Sequence, residues 1–464
     1  MALQIYDTMQ RRKVAFEPRH PSQVSMYVCG PTVYDVPHVG HGRTSLTYDM
    51  MRRYFTWAGF EVTVASNVTD IDDKIIARAE REGRTEPDVS AEFAEVYDDE
   101  MGRLGILPVD SRPHATQFIP GMVEVIEELI SLGAAYEVPG KGVYFAVDGL
   151  ADYGKLAGRN LEQLLEDAGS RVDVDEDKRS PLDFALWKAA KPGEPIWDTP
   201  WGPGRPGWHT ECVAMSLAAL GEDFDIHGGG DDLTFPHHQN EWAQVEASGR
   251  KFARHWVHSA MVNVAGEKMS KSVGNFTNLA EATDTAGPRA VRLLALQTHY
   301  RRAMEMGRDA LAASAEAVKR LDAFHRRMAA ADIDLAGEGR DDSALEQFRS
   351  SMDDDFGTPA AVDQAFTLVR AANASLDADD LDSAGTAART AILIFSVLGI
   401  DMGSDSGDEG EGGPSTTDID RLLVERTEAR ASKDFATSDR IRDQLAATGI
   451  IIEDSATGTT WHRA

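Results

Sequence analysis

The stretch 24–54 constrains this chain more than any other. Residues 24–28 (Val-Ser-Met-Tyr-Val) form a short apolar run that ends at Cys29 and a Gly30-Pro31-Thr32 turn. His38 and His41 follow three residues apart, with Gly40 between them and Gly42 after. Leu46, Met50 and Tyr54 then recur every four residues, the repeat of one helical face. The spacing predicts a strand that passes through a Gly/His turn into a helix. A turn of that kind suits a phosphate. The helix start offers unpaired N–H groups and a partial positive charge, and glycine lets the backbone come close to a ligand. Histidines there can donate to phosphoryl oxygens whose charge grows in a transition state.

The rest of the chain supplies neighbours for that unit. Phe60, Val62 and Val64 alternate, which predicts a second strand over 60–66. It ends in the polar turn Asn67-Val68-Thr69-Asp70-Ile71-Asp72-Asp73-Lys74, at the strand end where open α/β sheets hold ligands. Alternating strand and helix patterns predict a parallel sheet with crossover helices. Residues 1–25 read as an entry strand and loop, and 75–135 as mostly helical. A strand over 142–147 lies in a polar, loop-rich section that reads as an insertion. Helix patterns begin near Thr210 and again after Thr234 and Pro236, where Thr234 or a nearby acid can cap and Pro236 sits in the first turn. A strand is expected over 257–264 and continuous helix over 288–400. The Gly/Ser/acid run 402–416 reads as a flexible linker.

The expected fold class is therefore α/β, a parallel-sheet domain with an insertion, followed by a helical bundle and a small C-terminal domain. The expected boundaries are 1–112 and 201–309 for the two halves of the sheet domain, 113–200 for the insertion, 310–401 for the bundle, 402–416 for the linker and 417–464 for the tail.

The composition narrows the class further. No run of 18 apolar residues occurs, so no membrane span is expected. The first residues lack the apolar core of a secretory signal, and two cysteines exclude a disulfide scaffold. A cytoplasmic protein is expected. The 77 acids outnumber 47 bases, most of them arginine, for a net charge of −30. Dense surface carboxylates of this kind suit a high-salt cytoplasm. Taken alone, the charge argues against a nucleic-acid partner.

Two constellations carry chemistry. Glu241 follows His237 by four residues, so both project from one helical face. With Cys29 and Cys212 they make a workable Zn²⁺ set; the same residues also fit a surface helix pair and two small buried hydrophobes. Lys268 and Lys271 stand three residues apart in a Gly/Ser-bordered loop of a lysine-poor chain. They fit a solvated basic loop, or a mobile cationic loop that holds a triphosphate while pyrophosphate leaves.

At this point the motifs carry a resemblance. His38-Val39-Gly40-His41 and Lys268-Met269-Ser270-Lys271-Ser272 resemble the two signature motifs of class I aminoacyl-tRNA synthetases. Within that class the chain is similar to the cysteinyl-tRNA synthetase family over nearly its whole length. The likeness includes Cys-Gly-Pro-Thr-Val-Tyr-Asp (29–35), Asn-Val-Thr-Asp-Ile-Asp-Asp-Lys (67–74), Gly-Trp-His-Thr-Glu-Cys (207–212), His-Gly-Gly-Gly (227–230), Pro-His-His-Gln-Asn-Glu (236–241) and Met-Asp-Asp-Asp-Phe-Gly-Thr-Pro (352–359). Val39, Asp231 and Gln239 depart from the usual Ile, Ser and Glu.

The resemblance implies that the parallel-sheet domain is a Rossmann-like catalytic domain, and that it carries out ATP-dependent activation of L-cysteine to cysteinyl-adenylate and transfer to the cysteine tRNA. It implies one Zn²⁺ held by Cys29, Cys212, His237 and Glu241, with Mg²⁺ arriving on ATP. His38, Gly40, His41, Lys268 and Lys271 would hold ATP, and His38, His41, Lys268 and Lys271 would act in catalysis. Gly30, Thr32, Thr69, Trp208, Gly229 and His237 would line the cysteine pocket. The bundle and tail would contact tRNA through arginines such as Arg426, Arg430, Arg440 and Arg442. Trp461 fits a base-stacking platform or a core residue of a small domain. No obligate protein partner is expected. The rival readings are a related ligase that joins cysteine to an amino-sugar, which would lack the tail, an inactive tRNA-binding paralogue, which would have lost His41 or Lys271, and a zinc-stabilised structural protein.

Overall fold

A computed structural model describes residues 2–168, 177–263, 278–403, 416–431, 434–455 and 458–463. Its centre is a four-stranded parallel sheet, β3 (Gln23–Val28), β4 (Glu61–Ser66), β9 (Ile226–Gly230) and β10 (His255–Ser259), in the order β10-β9-β3-β4. The chain leaves β3, crosses through α1 (Val39–Trp57) to β4 on one side, and later returns to β9 on the other. The strand order therefore reverses beside β3. The crevice at the C-terminal ends of β3 and β9 is where such sheets bind ligands.

Period-two alternation splits β3 between two cores. Val24, Met26 and Val28 join a cluster with Tyr48, Met51, Tyr54 and Phe55 of α1. Tyr27 joins the opposite cluster, with Cys212, Trp242 and Trp256. Leu46, Met50 and Tyr54 of α1 are all buried, as their spacing predicts.

Residues 1–25 hold more than an entry strand: β1 (Gln4–Asp7) and β2 (Arg12–Ala15) form an antiparallel hairpin. After β4 come α2 (Asp73–Glu82), α3 (Glu86–Arg103) and α4 (Ile119–Ser131). A second, antiparallel sheet follows: β5 (Ala135–Val138), β6 (Gly142–Phe145), β7 (Phe184–Ala189) and β8 (Gly204–Pro206), with α5 (Leu161–Ala168) between β6 and β7. Helix α6 (Trp208–Leu220) leads into β9, and α7 (Gln239–Ser248) into β10.

Three expectations need correction. The helix after β9 is not capped by Thr234: Phe235 is extended (φ −141°, ψ 130°), a π-turn spans Thr234–His238, and α7 starts at Gln239 without a side-chain cap. The residue before a proline is sterically pushed out of the helical region, so Pro236 delays the helix instead of starting it. The expected strand 257–264 is two strands, because Ala260 N–H turns to Tyr300 O and β11 (Val262–Asn263) pairs with β12 (Met304–Glu305). That pairing also interrupts the helices over 288–400, which are α9 (Pro288–Leu296), α10 (Arg308–Ala330), α11 (Asp342–Asp353), α12 (Thr358–Asp377) and α13 (Leu381–Val397); α8 (Leu279–Ala286) precedes them.

Residues 403–464 form a separate compact unit. It holds α14 (Thr416–Ala431), α15 (Phe435–Ala447) and an antiparallel pair, β13 (Ile450–Ser455) and β14 (Gly458–Arg463), around Ile419, Leu423, Ile441, Leu445 and Ile450. Arg426 is 6 % exposed. Arg440 and Arg442 are exposed and pair with Glu425 and with Asp439 and Asp443. No helix among the described residues is long and apolar enough to cross a membrane.

Candidate active site and metal cluster

Cys29 leaves the end of β3, and its N–H donates to Gly228 O of the neighbouring strand β9. Cys212 comes from α6, and His237 and Glu241 from the π-turn and α7. The sheet and two helices thus bring four distant residues together, with one donor atom from each lying within 4.8 Å of the others. Sγ of Cys29 is 3.5 Å from Sγ of Cys212 and 3.5 Å from Oε1 of Glu241. Nε2 of His237 is 3.1 Å from the same Oε1. Edges of about 3.3–3.8 Å are what tetrahedral bonds of about 2.0–2.3 Å produce, so the set fits Zn²⁺.

The electrostatics agree with a cation. Burial pushes the thiols of Cys29 and Cys212 up and the imidazole of His237 well down. By itself the protein therefore keeps these groups neutral, around a fully buried Glu241 carboxylate. A divalent ion between them would reverse that preference for the thiols. Nδ1 of His237 lies 3.0 Å from Nδ1 of His209, which can take its proton and leave Nε2 as an electron-pair donor. Metal-bound histidines have this kind of outer partner.

Sequence spacing missed His227 and His238. Nε2 of His227 lies 3.6 Å from Cys29 Sγ and 3.2 Å from Glu241 Oε2. Nε2 of His238 lies 3.9 Å from Glu241 Oε1, and its Nδ1 meets Nε2 of His258 at 2.8 Å. Cys29, His227, His238 and Glu241 thus form a second donor set that shares two members with the first. A signal was present for His227: it lies in β9 immediately before the triple glycine, beside the strand that delivers Cys29.

Around the cluster the crevice is tightly built. Trp208 stacks on His237 with ring centroids 4.0 Å apart. Thr69 bridges to Thr32 in parallel fashion, and its hydroxyl donates to Glu211 Oε2 at 3.1 Å. A Cβ on Gly30 would lie 1.7 Å from Asn67 O, so only glycine lets the two segments approach this closely. Gly228 is held to glycine by the Tyr48 ring, and Gly229 N–H donates to the Tyr48 hydroxyl at 2.6 Å.

At the start of α1, His38 is the N-cap. His41 N–H donates to His38 Nδ1 and His38 N–H donates to His41 Nδ1, a reciprocal capping box. The rings stack 3.7 Å apart, and a Cβ on Gly40 would lie 2.9 Å from the His38 ring. Burial is the first cause of the low pKa of both histidines, and it brings His41 to about 3. Both rings are therefore neutral at pH 7. Because each Nδ1 accepts a backbone proton, each ring carries its hydrogen on Nε2. Lys268 and Lys271 lie outside the described residues.

The fold points first to a class. Mycobacterium tuberculosis methionyl-tRNA synthetase bound to methionyl-adenylate shares it with a TM-score of 0.62 at 15 % identity, over 81 % of this chain and 91 % of that one. A putative arginyl-tRNA synthetase from Campylobacter jejuni shares it at 0.52 and 14 % identity, over 83 % and 94 %. The profile "tRNA synthetases class I (C) catalytic domain" matches residues 15–316, which makes the class that of the class I aminoacyl-tRNA synthetases. A DALR domain profile matches 347–402 and a "Cysteinyl-tRNA ligase anticodon binding domain" profile matches 415–461. The cysteine–tRNA ligase of Methylococcus capsulatus is 46 % identical over 99 % of this chain and its own full length. That of Laribacter hongkongensis is 45 % identical over the full length of both. The chain belongs to the cysteine–tRNA ligase family.

Proposed function

We propose that Cys29, Cys212, His237 and Glu241 hold one Zn²⁺ at the floor of the cysteine pocket of an enzyme that activates cysteine with ATP and charges tRNA. The activity is that of the family. The observation that supports the metal assignment is the four-atom donor cluster at the switch point of the sheet. Bound there, Zn²⁺ supplies a soft Lewis acid that prefers a thiolate to the hydroxyl of serine, where pocket shape alone discriminates weakly.

The residues of the chain do the rest. Trp208 and His237 wall the pocket, and Gly30, Thr32, Thr69 and Gly229 line it. Nε2–H of His38 and of His41 donate to the phosphates, Gly40 keeps the turn open beside them, and Mg²⁺ arrives with ATP. Lys268 and Lys271 neutralise the charge that develops as the cysteine carboxylate attacks the α-phosphorus and pyrophosphate leaves. This is positioning and electrostatic catalysis, with no protein nucleophile. We further propose catalytic halves 1–112 and 201–309 around the insertion 113–200, a tRNA-contacting bundle 310–401, the linker 402–416 and an anticodon-contacting tail 417–464. A salt-rich cytoplasm fits the charge of −30.

The test is cysteine-dependent ATP–pyrophosphate exchange with metal analysis of the same sample. The expected result is about one Zn²⁺ per chain and exchange with cysteine far above that with serine. Full activity from metal-free protein overturns the assignment.

A further inference from the structure

No signature motif falls on α3, yet that helix delivers an aromatic ring to His41. The centroid of the Tyr97 ring lies 6.1 Å from that of His41, and the two planes are nearly perpendicular at 76°. The Tyr97 hydroxyl is hydrogen-bonded to Oγ of Ser45 at 3.0 Å. Ser45 follows His41 by four residues on α1, so both lie on one helical face and Tyr97 spans them. Burial is the first cause that pushes the phenol up, so Tyr97 stays protonated and keeps that bond. The guanidinium of Arg112 lies 5.5 Å from the centre of the Tyr97 ring and pairs with Asp98 at 2.5 Å.

His41 is also restrained from within its own turn. His38 N–H donates to its Nδ1, and the His38 ring stacks on it. Both restraints travel with the turn, so neither fixes where Nε2–H points relative to the sheet. Tyr97 comes from a different helix and can do so. A perpendicular pair at this separation is one of the arrangements that aromatic rings prefer. The Tyr97 ring also borders open space. With Ser45, Met101, Ile106, Val109 and Arg112 it lines a cavity of about 330 Å³. A ring beside a void lacks packing contacts on that side and can swing into it unless its end is tied. The bond to Ser45 is that tie.

We propose that Tyr97 is a positioning residue for adenylate formation: tied to Ser45, it holds the His41 ring so that Nε2–H meets the phosphates. This rests on the reading of His41 as a phosphate donor. Tyr97 acts through His41 and not on the substrate. Misplacing a reacting or stabilising group by about 1 Å can cost up to roughly 10²-fold in rate, so holding one ring in place is enough to matter.

The experiment is a double-mutant cycle in the full chain, read by cysteine-dependent ATP–pyrophosphate exchange. Tyr97→Leu should lower kcat by roughly tenfold, the scale of one lost ring contact. KM for cysteine should stay within about twofold, because His41 acts on the phosphates. In a His41→Asn background the ring to be held is gone, and Tyr97→Leu should change kcat by less than about twofold. Tyr97→Phe keeps the ring and loses the tie, so its kcat should fall between those of Tyr97→Leu and the unmodified chain, and Ser45→Ala should match it. An equal loss from Tyr97→Leu in both backgrounds makes Tyr97 a general support of α1 and overturns the proposal. An unchanged kcat, or a KM for cysteine that rises in step with the loss of kcat, overturns it as well. Should Tyr97→Leu not fold, Tyr97→Phe carries the same cycle. A loss of about threefold or more that vanishes in His41→Asn then supports the proposal, and no loss, or one that persists, overturns it. Full exchange activity in His41→Asn alone would instead reject the reading of His41 as a phosphate donor, and the proposal with it.

Discussion

Glu241 Oε1 faces Cys29, His237 and His238 at once, so the choice between two overlapping donor sets falls to single side chains. Cys212→Ser should reduce bound zinc to near zero, whereas His238→Gln should leave about one ion per chain, as measured by metal analysis. The reverse pattern selects the set with His227 and His238. His38 separates into two functions in the same way. Asparagine is a good N-cap, so His38→Asn should change the stability by under about 0.5 kcal/mol in urea unfolding. It removes the Nε2 proton, and adenylate formation should fall by roughly 10²-fold. The half-buried His41 and the buried His258 also set a pH dependence. His41 and His258 have folded pKa values of about 3, below the 6.5 of an exposed histidine, with burial as the main cause. The unfolded chain binds protons that the folded one refuses. The stabilisation is therefore complete above pH 6.5 and is lost toward pH 3, by about 1.4 kcal/mol per pH unit per group. Urea titrations at pH 7.0 and 5.0 measure it, and a higher stability at pH 5.0 contradicts this sign. At this scale the spacing of His237 and Glu241 was legible because a helix repeats locally. Asn67, Glu211 and His209 were not, since nothing near them in the chain marks their partners.

Helix α1 is the element that ties the His38–His41 turn to the rest of the first unit. Its start is the His38–His41 capping box, and its far end packs Tyr54 edge-on against Phe348 and Phe356. The Tyr54 hydroxyl reaches Asp353 Oδ1 at 2.5 Å. Midway, Asp49 Oδ2 meets Arg292 of α9 at 2.6 Å, both side chains 1 % exposed. The same arginine donates to the carbonyls of Leu104, Gly105 and Leu398. Removing one partner strands the other as a buried charge, so Asp49→Ala should cost about 3–5 kcal/mol. Thermal unfolding checks it, and a shift under about 1 kcal/mol means that water reaches Arg292. The strand–turn–helix that leads into α1 was readable from residues 24–54, because both of its repeats are local. The break between β10 and β11 was not readable, because Met304 and Glu305 lie some forty residues away and contribute the pairing.

On the scale of the whole molecule, the chain divides after Met402. Every residue assigned to cysteine activation precedes that point. Deleting 403–464 should leave cysteine-dependent pyrophosphate exchange near normal and weaken tRNA charging by roughly tenfold or more, through KM for tRNA. A truncated protein that charges tRNA as well as the intact one would remove the tail from anticodon reading. Trp461 lies on β14, opposite Ile452 in register. The net charge of −30 acts on the whole surface. Self-repulsion among carboxylates is screened as the Debye length falls from about 10 Å at 0.1 M to about 3 Å at 1 M salt. The melting temperature should therefore rise with KCl across that range, and a fall would argue against salt adaptation.

The sequence by itself determined the family, the α/β class and the local units: a strand that turns through His38 and His41 into a helix, and a His237–Glu241 pair on one face. These depend on bonds and repeats within a few residues, which composition and spacing display directly. The tertiary structure alone decided which strands neighbour β3, and hence that Cys29 meets Cys212 and that His227 and His238 join the same cluster, and it alone set Tyr97 of α3 against His41. Those contacts span up to 212 residues of chain. Their partners are chosen by the order of strands in the sheet and by the burial of both its faces, and neither leaves a periodic mark near the residues concerned.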